Sequence, residues 1–127
     1  MKKLVLLLAL ALILVGSSAL AASQTITFGW EQDMTVPVVG WKVYQSETSG
    51  TYGAVPFQTL VWDGTTKPEY TAQTQIVVPT GSRKVFFWTV TAYNVEGESG
   101  RSNEVSTTHD FRLPLVPVTF RATVTTP

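Results

Sequence analysis

Residues that could support acid–base chemistry are few and scattered in this chain. The 127 residues contain one histidine and no cysteine. That histidine, His109, is followed by Asp110, but no nucleophile stands at a spacing that would complete a catalytic triad. We therefore predict that the protein is not an enzyme and has no catalytic residues. We place His109 in a solvated link after the last strand.

Paired carboxylates are the remaining candidates for a metal site. Glu31 with Asp33, and Glu96 with Glu98, fall in predicted loops, where two carboxylates could bind calcium weakly. The regular acidic spacing of calcium-binding loops is missing, and one histidine cannot supply a zinc cluster. Glycine-rich phosphate-binding motifs are missing too. We expect no metal and no cofactor, and we interpret these carboxylates as solvated loop charges.

The first 21 residues have the order of a secretory signal peptide, which predicts an N-terminal helix in the precursor. Two lysines precede an unbroken apolar run over residues 4–15, and small residues follow at Ala19 and Ala21. This order predicts cleavage after Ala21 or Ala22 and export to the periplasm, the cell envelope or the medium. The alternative is an uncleaved membrane anchor, although the apolar run is short against the roughly 20 residues that span a bilayer.

The charge of residues 22–127 argues against nucleic acid as a partner. Seven of the nine basic residues and all nine acidic residues remain after the predicted cut, which gives a net charge of −2. A slightly acidic domain without a basic cluster lacks the electrostatic footprint of a nucleic-acid-binding protein.

Short runs of β-branched and aromatic residues, separated by turn residues, fill the chain up to residue 110. They predict strands over 25–30, 38–44, 57–62, 70–78, 85–93 and 103–107. Turn signals at this spacing, with no helical periodicity between them, indicate an all-β antiparallel sandwich over 22–110. Residues that share the inward parity form the predicted core: Trp30, Trp41, Val43, Phe86, Trp88, Val90 and Ala92.

Several motifs follow one another between about residue 25 and residue 107: Trp30, Gly40-Trp41-Lys42-Val43-Tyr44, the run from Phe86 to Asn94, Gly97-Glu98-Ser99 and Ser102-Asn103-Glu104-Val105. In both order and spacing they resemble the fibronectin type III family. The resemblance implies an immunoglobulin-like sandwich of about seven strands, with Trp30 and Trp41 between the sheets. Two features depart from the family pattern. Phe86 stands where the family usually has a tyrosine, and Arg83-Lys84 lengthens the preceding turn.

Three aromatic residues have the parity opposite to that of the core. Tyr44, Phe87 and Tyr93 are therefore predicted to form a stripe on the outer face of one sheet, where they could contact a protein or a sugar ring. Ordinary cross-strand packing on a sheet face is the alternative interpretation.

The C-terminal tail, residues 111–127, contains one further alternating run. Val118, Phe120, Ala122 and Val124 share one face, which predicts a strand over 118–124. Pro114 and Pro117 precede this run, as prolines precede the first strand of the family. That strand has no counterpart before Thr25 in the exported chain. We therefore predict that the tail fills the first-strand position, either within one molecule or head to tail between molecules. The alternatives are pairing at another sheet edge and a loose tail.

These features together predict an exported, non-catalytic binding or adhesion module with a protein or glycan partner. One alternative is a structural subunit that assembles by donating its tail strand. The other is an accessory domain that binds polysaccharide. Membrane contact is expected only through an uncleaved signal segment.

Overall fold

The computed structural model describes residues 21–126, which contain seven β-strands and no helix. The predicted signal segment lies outside the described residues, apart from Ala21. The strands are β1 (Ala21–Trp30), β2 (Gly40–Ser46), β3 (Gln58–Val61), β4 (Tyr70–Pro79), β5 (Arg83–Asn94), β6 (Gly97–Glu98) and β7 (Val105–Asp110). Within this range there is accordingly no helix that could span a membrane.

The strands form two antiparallel sheets of unequal size. β1 pairs with β4 alone, from Ala21 opposite Pro79 to Trp30 opposite Tyr70. The second sheet has five strands, in which β2 lies between β3 and β5. The other edge of β5 pairs with β7 over its first half and with β6 at its end. The predicted all-β, antiparallel, sandwich-like architecture is confirmed.

Most strand boundaries differ from the sequence-based prediction by one or two residues, the short β6 was not predicted, and two strands extend further than that. β1 begins at Ala21 rather than Thr25, because the pairing with β4 continues through residues that carry little β-propensity of their own. β7 runs to Asp110 rather than ending at residue 107, so His109 lies inside a strand. Both extensions come from pairing with a long neighbouring strand.

The core lies between the inward faces of the two sheets. Ile26, Val43, Ile76, Val78 and Trp88 form its buried cluster. Trp41 packs at one end, with its ring centroid 5.4 Å from that of Trp30 and 4.8 Å from that of Tyr70.

The predicted core residues divide into two groups by burial. Trp41, Val43 and Trp88 are buried, whereas four are only half-buried: Trp30, Phe86, Val90 and Ala92. A two-stranded sheet cannot cover the whole inner face of a five-stranded sheet. Phe86, Val90 and Ala92 on β5 therefore keep part of their surface exposed, and Trp30 at the end of β1 borders the uncovered part.

The tail contains no strand over residues 111–126, so the predicted strand over 118–124 does not form within the described chain. Val118, Phe120 and Val124 are 85%, 94% and 93% exposed, and Ala122 is exposed as well. A single strand without a pairing partner leaves its backbone groups to water. Thr119 has a φ of 58°, which is incompatible with an extended backbone. In this structure the tail does not occupy the first-strand position of its own molecule.

Candidate functional site

Within the described residues, the edge of β1 that faces away from β4 is unpaired. Of the strands in residues 21–126, only β4 pairs with β1. An edge strand presents a row of backbone N–H and C=O groups that another extended chain can pair with. This open edge is therefore a ready template for an additional strand.

A groove of about 480 Å³ lies between this edge and the chain segment that precedes β7. One wall is formed by the end of β1, and the other by residues 99–103 and Val105. The floor, formed by inward side chains of both sheets, consists of Phe28, Trp41, Val43, Trp88 and Val90. Val105, which lines the second wall, is 47% exposed. We call this feature the β1 groove; it lies where the small sheet fails to cover the large one.

The far wall of the β1 groove is held by serine side chains rather than by regular strand pairing. Ser99 Oγ accepts a hydrogen bond from the backbone N–H of Ala92 at 2.9 Å. Ser102 Oγ accepts one from the N–H of Val90, also at 2.9 Å. The backbone N–H groups of the two serines donate back to the carbonyls of Ala92 and Val90. Residues 99–103 therefore satisfy the edge of β5 without adopting a strand conformation.

The two sheets are bridged by a chain of side-chain hydrogen bonds that runs from Trp88 on β5 through Thr107 and His109 on β7 to the exposed Gln24 on β1. Trp88 Nε1 donates to Thr107 Oγ1 at 2.8 Å, and Thr107 Oγ1 lies 2.9 Å from His109 Nε2. His109 Nδ1 lies 2.6 Å from Gln24 Oε1. All these contacts are satisfied when the threonine hydroxyl donates to Nε2 and a neutral histidine donates from Nδ1.

The placement of His109 in a solvated link was wrong. The residue is 2% exposed, and its side chain points between the sheets. Alternation along β7 gives it the inward parity, and β7 extends far enough to include it. Burial lowers the pKa of His109 below its ordinary value of 6.5, which favours the neutral ring.

We expect the protein to lose stability as the pH falls from about 7.5 to about 5.5. The folded pKa of His109 lies below the 6.5 of the unfolded chain. The stabilisation is therefore complete above that value and is lost as the pH falls through it towards the folded pKa. Carboxylates titrate mostly below this window. The melting temperature measured at both pH values tests the prediction.

The matched control is His109→Gln, which removes the only histidine of the chain. Its melting temperature should be lower than that of the parent protein at pH 7.5 but nearly constant across the window. An equal pH dependence in parent and variant would assign the effect to other groups.

The predicted aromatic stripe is not an open platform. Tyr44 is 5% exposed, and its hydroxyl donates to the carboxylate of Glu98. The guanidinium of Arg101 lies 5.6 Å from the centre of the Tyr44 ring and 5.0 Å from that of Tyr52. The prediction that Tyr44 is exposed was therefore wrong, because a loop between β2 and β3 and the chain after β6 cover it.

The other two members of the stripe are half-buried. Tyr93 donates its hydroxyl to the carbonyl of Leu60 at 3.3 Å, and Lys42 Nζ lies 5.3 Å from the centre of its ring. Phe87 is half-buried on the same face of β5. Neither Tyr44 nor Tyr93 presents a free aromatic face of the kind on which a sugar ring could stack.

Glu104 holds the covering loop in place. Its carboxylate accepts hydrogen bonds from Ser49 Oγ, the backbone N–H of Gly50 and the hydroxyl of Tyr52. These bonds lower the pKa of Glu104. Burial, together with the bond to Glu104, raises the pKa of Tyr52 to about 12. The contacts join residues more than fifty positions apart, and sequence periodicity carries no signal for them.

The acidic pairs have separate local roles. Asp33 accepts a hydrogen bond from the backbone N–H of Thr35 at 2.8 Å, which lowers its pKa. The pKa of Glu98 is lowered chiefly by the hydrogen bond from Tyr44. In the part of the chain that the structure describes, no group of three or more acidic or histidine residues could hold a metal ion.

Comparison with protein-family models, with curated proteins and with solved structures finds no match for this chain. Functional inference therefore depends on the geometry of the β1 groove. Sequence reasoning missed several of its residues, among them Phe28, Val105 and the wall at 99–103. The inward parity of Phe28 with Trp30 was a usable signal, and Ser99 and Ser102 stood in motifs of the family resemblance to which no binding role was assigned.

Proposed function

We propose that this protein is an exported, non-catalytic binding module on an immunoglobulin-like sandwich of the fibronectin type III kind. Its binding element is the open edge of β1, which takes up an extended polypeptide segment as an added strand. The observation that carries this proposal is the unpaired edge of β1 beside an apolar groove.

The strand pairing supports the fibronectin-like assignment. β1 with β4, β2 with β3 and β5, and β5 with β7 are the pairs expected of such a sandwich when the strand before β1 is not in place. The motifs around Trp41 and from Phe86 to Asn94 lie on β2 and β5, where the resemblance requires them. Occupation of the empty position by another segment would complete the smaller sheet.

Strand addition would satisfy two physical needs of the site together. Backbone hydrogen bonds along β1 would supply affinity for any extended chain, and the apolar floor would select its alternate side chains. Phe28, Val90 and Val105 are incompletely buried and would lose exposed apolar surface beneath an added strand. The favoured partner is therefore a segment with apolar residues at alternate positions.

The same geometry favours a polypeptide over a glycan. Sugar binding commonly uses an exposed aromatic face, and the rings of Tyr44 and Tyr93 are covered by Arg101 and Lys42. The β1 groove offers an open strand edge and an apolar floor instead. Both features suit a peptide backbone with apolar side chains.

Titration with a short synthetic peptide of alternating valine and threonine, followed by NMR, tests strand addition. Amide shifts should change along β1 and residues 99–105, and amide hydrogen exchange should slow at the open edge of β1. Equal changes at the edges of β3 and β4, or no change at millimolar peptide, would contradict the proposal.

Val105→Lys should abolish the response, because it places a charge beside the groove floor. Val77→Lys is the matched control, since Val77 is an exposed strand valine on the outer face of β4. That variant should bind the peptide as the parent protein does. Thermal melts of both variants establish that each is folded.

A further inference from the structure

We infer that the segment bound in the β1 groove is the C-terminal tail of a second copy of this chain, so that copies join head to tail. The inference rests on the proposed strand addition and names its partner. Three observations carry it: the open edge of β1, the exposed apolar face of the tail and the pole of the sandwich from which the tail leaves.

The tail has the side-chain pattern that the β1 groove would select. Val118, Phe120, Ala122 and Val124 alternate with threonines and an arginine, and all four are exposed. Docked as a strand, these four would face the apolar floor while the polar residues between them faced water. Four exposed apolar side chains on one face of a strand mark a surface that is stabilised by burial, and the apolar floor of the β1 groove could bury them.

The tail leaves the sandwich at the end, or pole, where β1 begins. A strand that docks antiparallel to β1 must start at the other pole, so the tail cannot enter its own groove directly. Phe111 is fixed at the turn between β4 and β5, where its backbone N–H donates to the carbonyl of Ser82 and its carbonyl accepts from Gly81. β1 begins at this same pole, because Ala21 pairs with Pro79. A strand antiparallel to β1 must enter at the opposite pole, beside Trp30.

The available chain is too short for that path within one molecule. β1 has ten residues and is therefore about 30 Å long at roughly 3.3 Å per residue. The seven steps from Phe111 to Val118 span about 25 Å at most when fully extended, before any reversal of direction. A second copy stacked against the Trp30 pole has no such limit. The tail of this second copy leaves from the pole that faces Trp30 of the first copy, where the antiparallel strand must begin.

A tail that returned parallel to β1 would be within reach of its own groove. The structure leaves that tail exposed, with the left-handed φ of Thr119 interrupting the run, and parallel pairing is slightly weaker per residue. Antiparallel docking on a neighbour would instead give the tail an extended backbone with ladder hydrogen bonds. Self-docking would produce a monomer at every concentration, which the experiment below detects.

Head-to-tail donation has a definite consequence for assembly. Each copy donates one tail and accepts one, and the two surfaces are different parts of the molecule. Such heterologous contacts give open chains unless the rotation between neighbours closes a ring. The expected product is a linear series whose length grows with protein concentration.

Light scattering after size-exclusion chromatography of the exported protein at several concentrations tests this. The mass should rise beyond that of a dimer with concentration. The donor variant V118E/F120E should remain monomeric, with self-association weakened roughly a hundredfold or more by charge brought against the apolar floor. Its matched control is T119E, because Thr119 points away from the floor in the docked strand. That variant should assemble as the parent protein does.

Mixing complementary variants gives the sharpest outcome. V118E/F120E keeps an intact groove and V105K keeps an intact tail, so each alone should be monomeric and an equal mixture should form dimers only. A mixture that stays monomeric would overturn the inference, as would a parent protein that is monomeric at every concentration. Peptide binding at β1 with a monomeric parent protein would leave strand addition standing and exclude the tail as its occupant. If the parent protein and T119E are both monomeric, a lower melting temperature of V118E/F120E than of T119E would show self-docking, which overturns the inference.

Discussion

Replacement of Trp88 by alanine is expected to lower the free energy of unfolding by about 3–5 kcal/mol. The side chain is 1% exposed, and its ring centroid lies 4.9 Å from that of Phe28 and 5.2 Å from that of Phe57. Its indole N–H also begins the polar chain through Thr107. Alanine would leave a cavity between the sheets and remove that donor. Equilibrium unfolding in urea, followed by circular dichroism, measures the loss.

Trp62→Ala is the matched control for this substitution. Trp62 is half-buried in the loop after β3, and its indole N–H donates locally to the carbonyl of Thr65 at 2.9 Å. Its truncation removes the same number of atoms without opening the core, so a cost of about 1 kcal/mol is expected. Equal losses for the two variants would show that Trp88 is not the centre of the core.

Strand positions could be predicted from the sequence wherever the signal was local. The run predicted over 85–93 appears as β5, because aromatic and β-branched residues alternate there without interruption. The same alternation assigned Trp41, Val43 and Trp88 the inward parity, and these residues are buried. Parity along a strand follows from backbone geometry alone and needs no knowledge of other elements.

Burial on the outer face could not be predicted in this way. Tyr44 has the outward parity, but the loop held by Glu104 and the guanidinium of Arg101 cover it. Parity states which way a side chain points, whereas burial depends on what arrives from elsewhere in the chain. The residues that cover Tyr44 are distant from it in sequence, so no local sequence pattern predicts its burial.

The tail shows a related limit. Alternation of Val118, Phe120, Ala122 and Val124 states that the segment can form a strand with one apolar face. A strand also needs a partner for its backbone, and within residues 21–126 the tail has none. The same limit applies to the β1 groove, which arises from the difference in size between two sheets. The number of strands in each sheet cannot be derived from the sequence before the strand pairing is known.

Gly40→Ala is expected to be the second most costly of these substitutions, at about 3 kcal/mol. Gly40 is buried at the start of β2, where it pairs with Val61 on one side and Tyr93 on the other. An added Cβ would collide with the carbonyl oxygen of Leu60 and lie 2.8 Å from the hydroxyl of Tyr93. Relief requires backbone of β3 to move, which would strain its pairing with β2. Thermal and urea unfolding both report the loss.

Gly53→Ala is the control, since a Cβ there would meet no atom within 4 Å. Its stability should equal that of the parent protein or rise slightly, because alanine restricts the unfolded chain more than glycine does. Equal losses at both positions would mean that the cost reflects glycine replacement in general. A loss confined to Gly40 would assign that residue to the close approach of two strands. The glycine before Trp41 would then be required by packing, since a glycine inside a strand often marks such an approach.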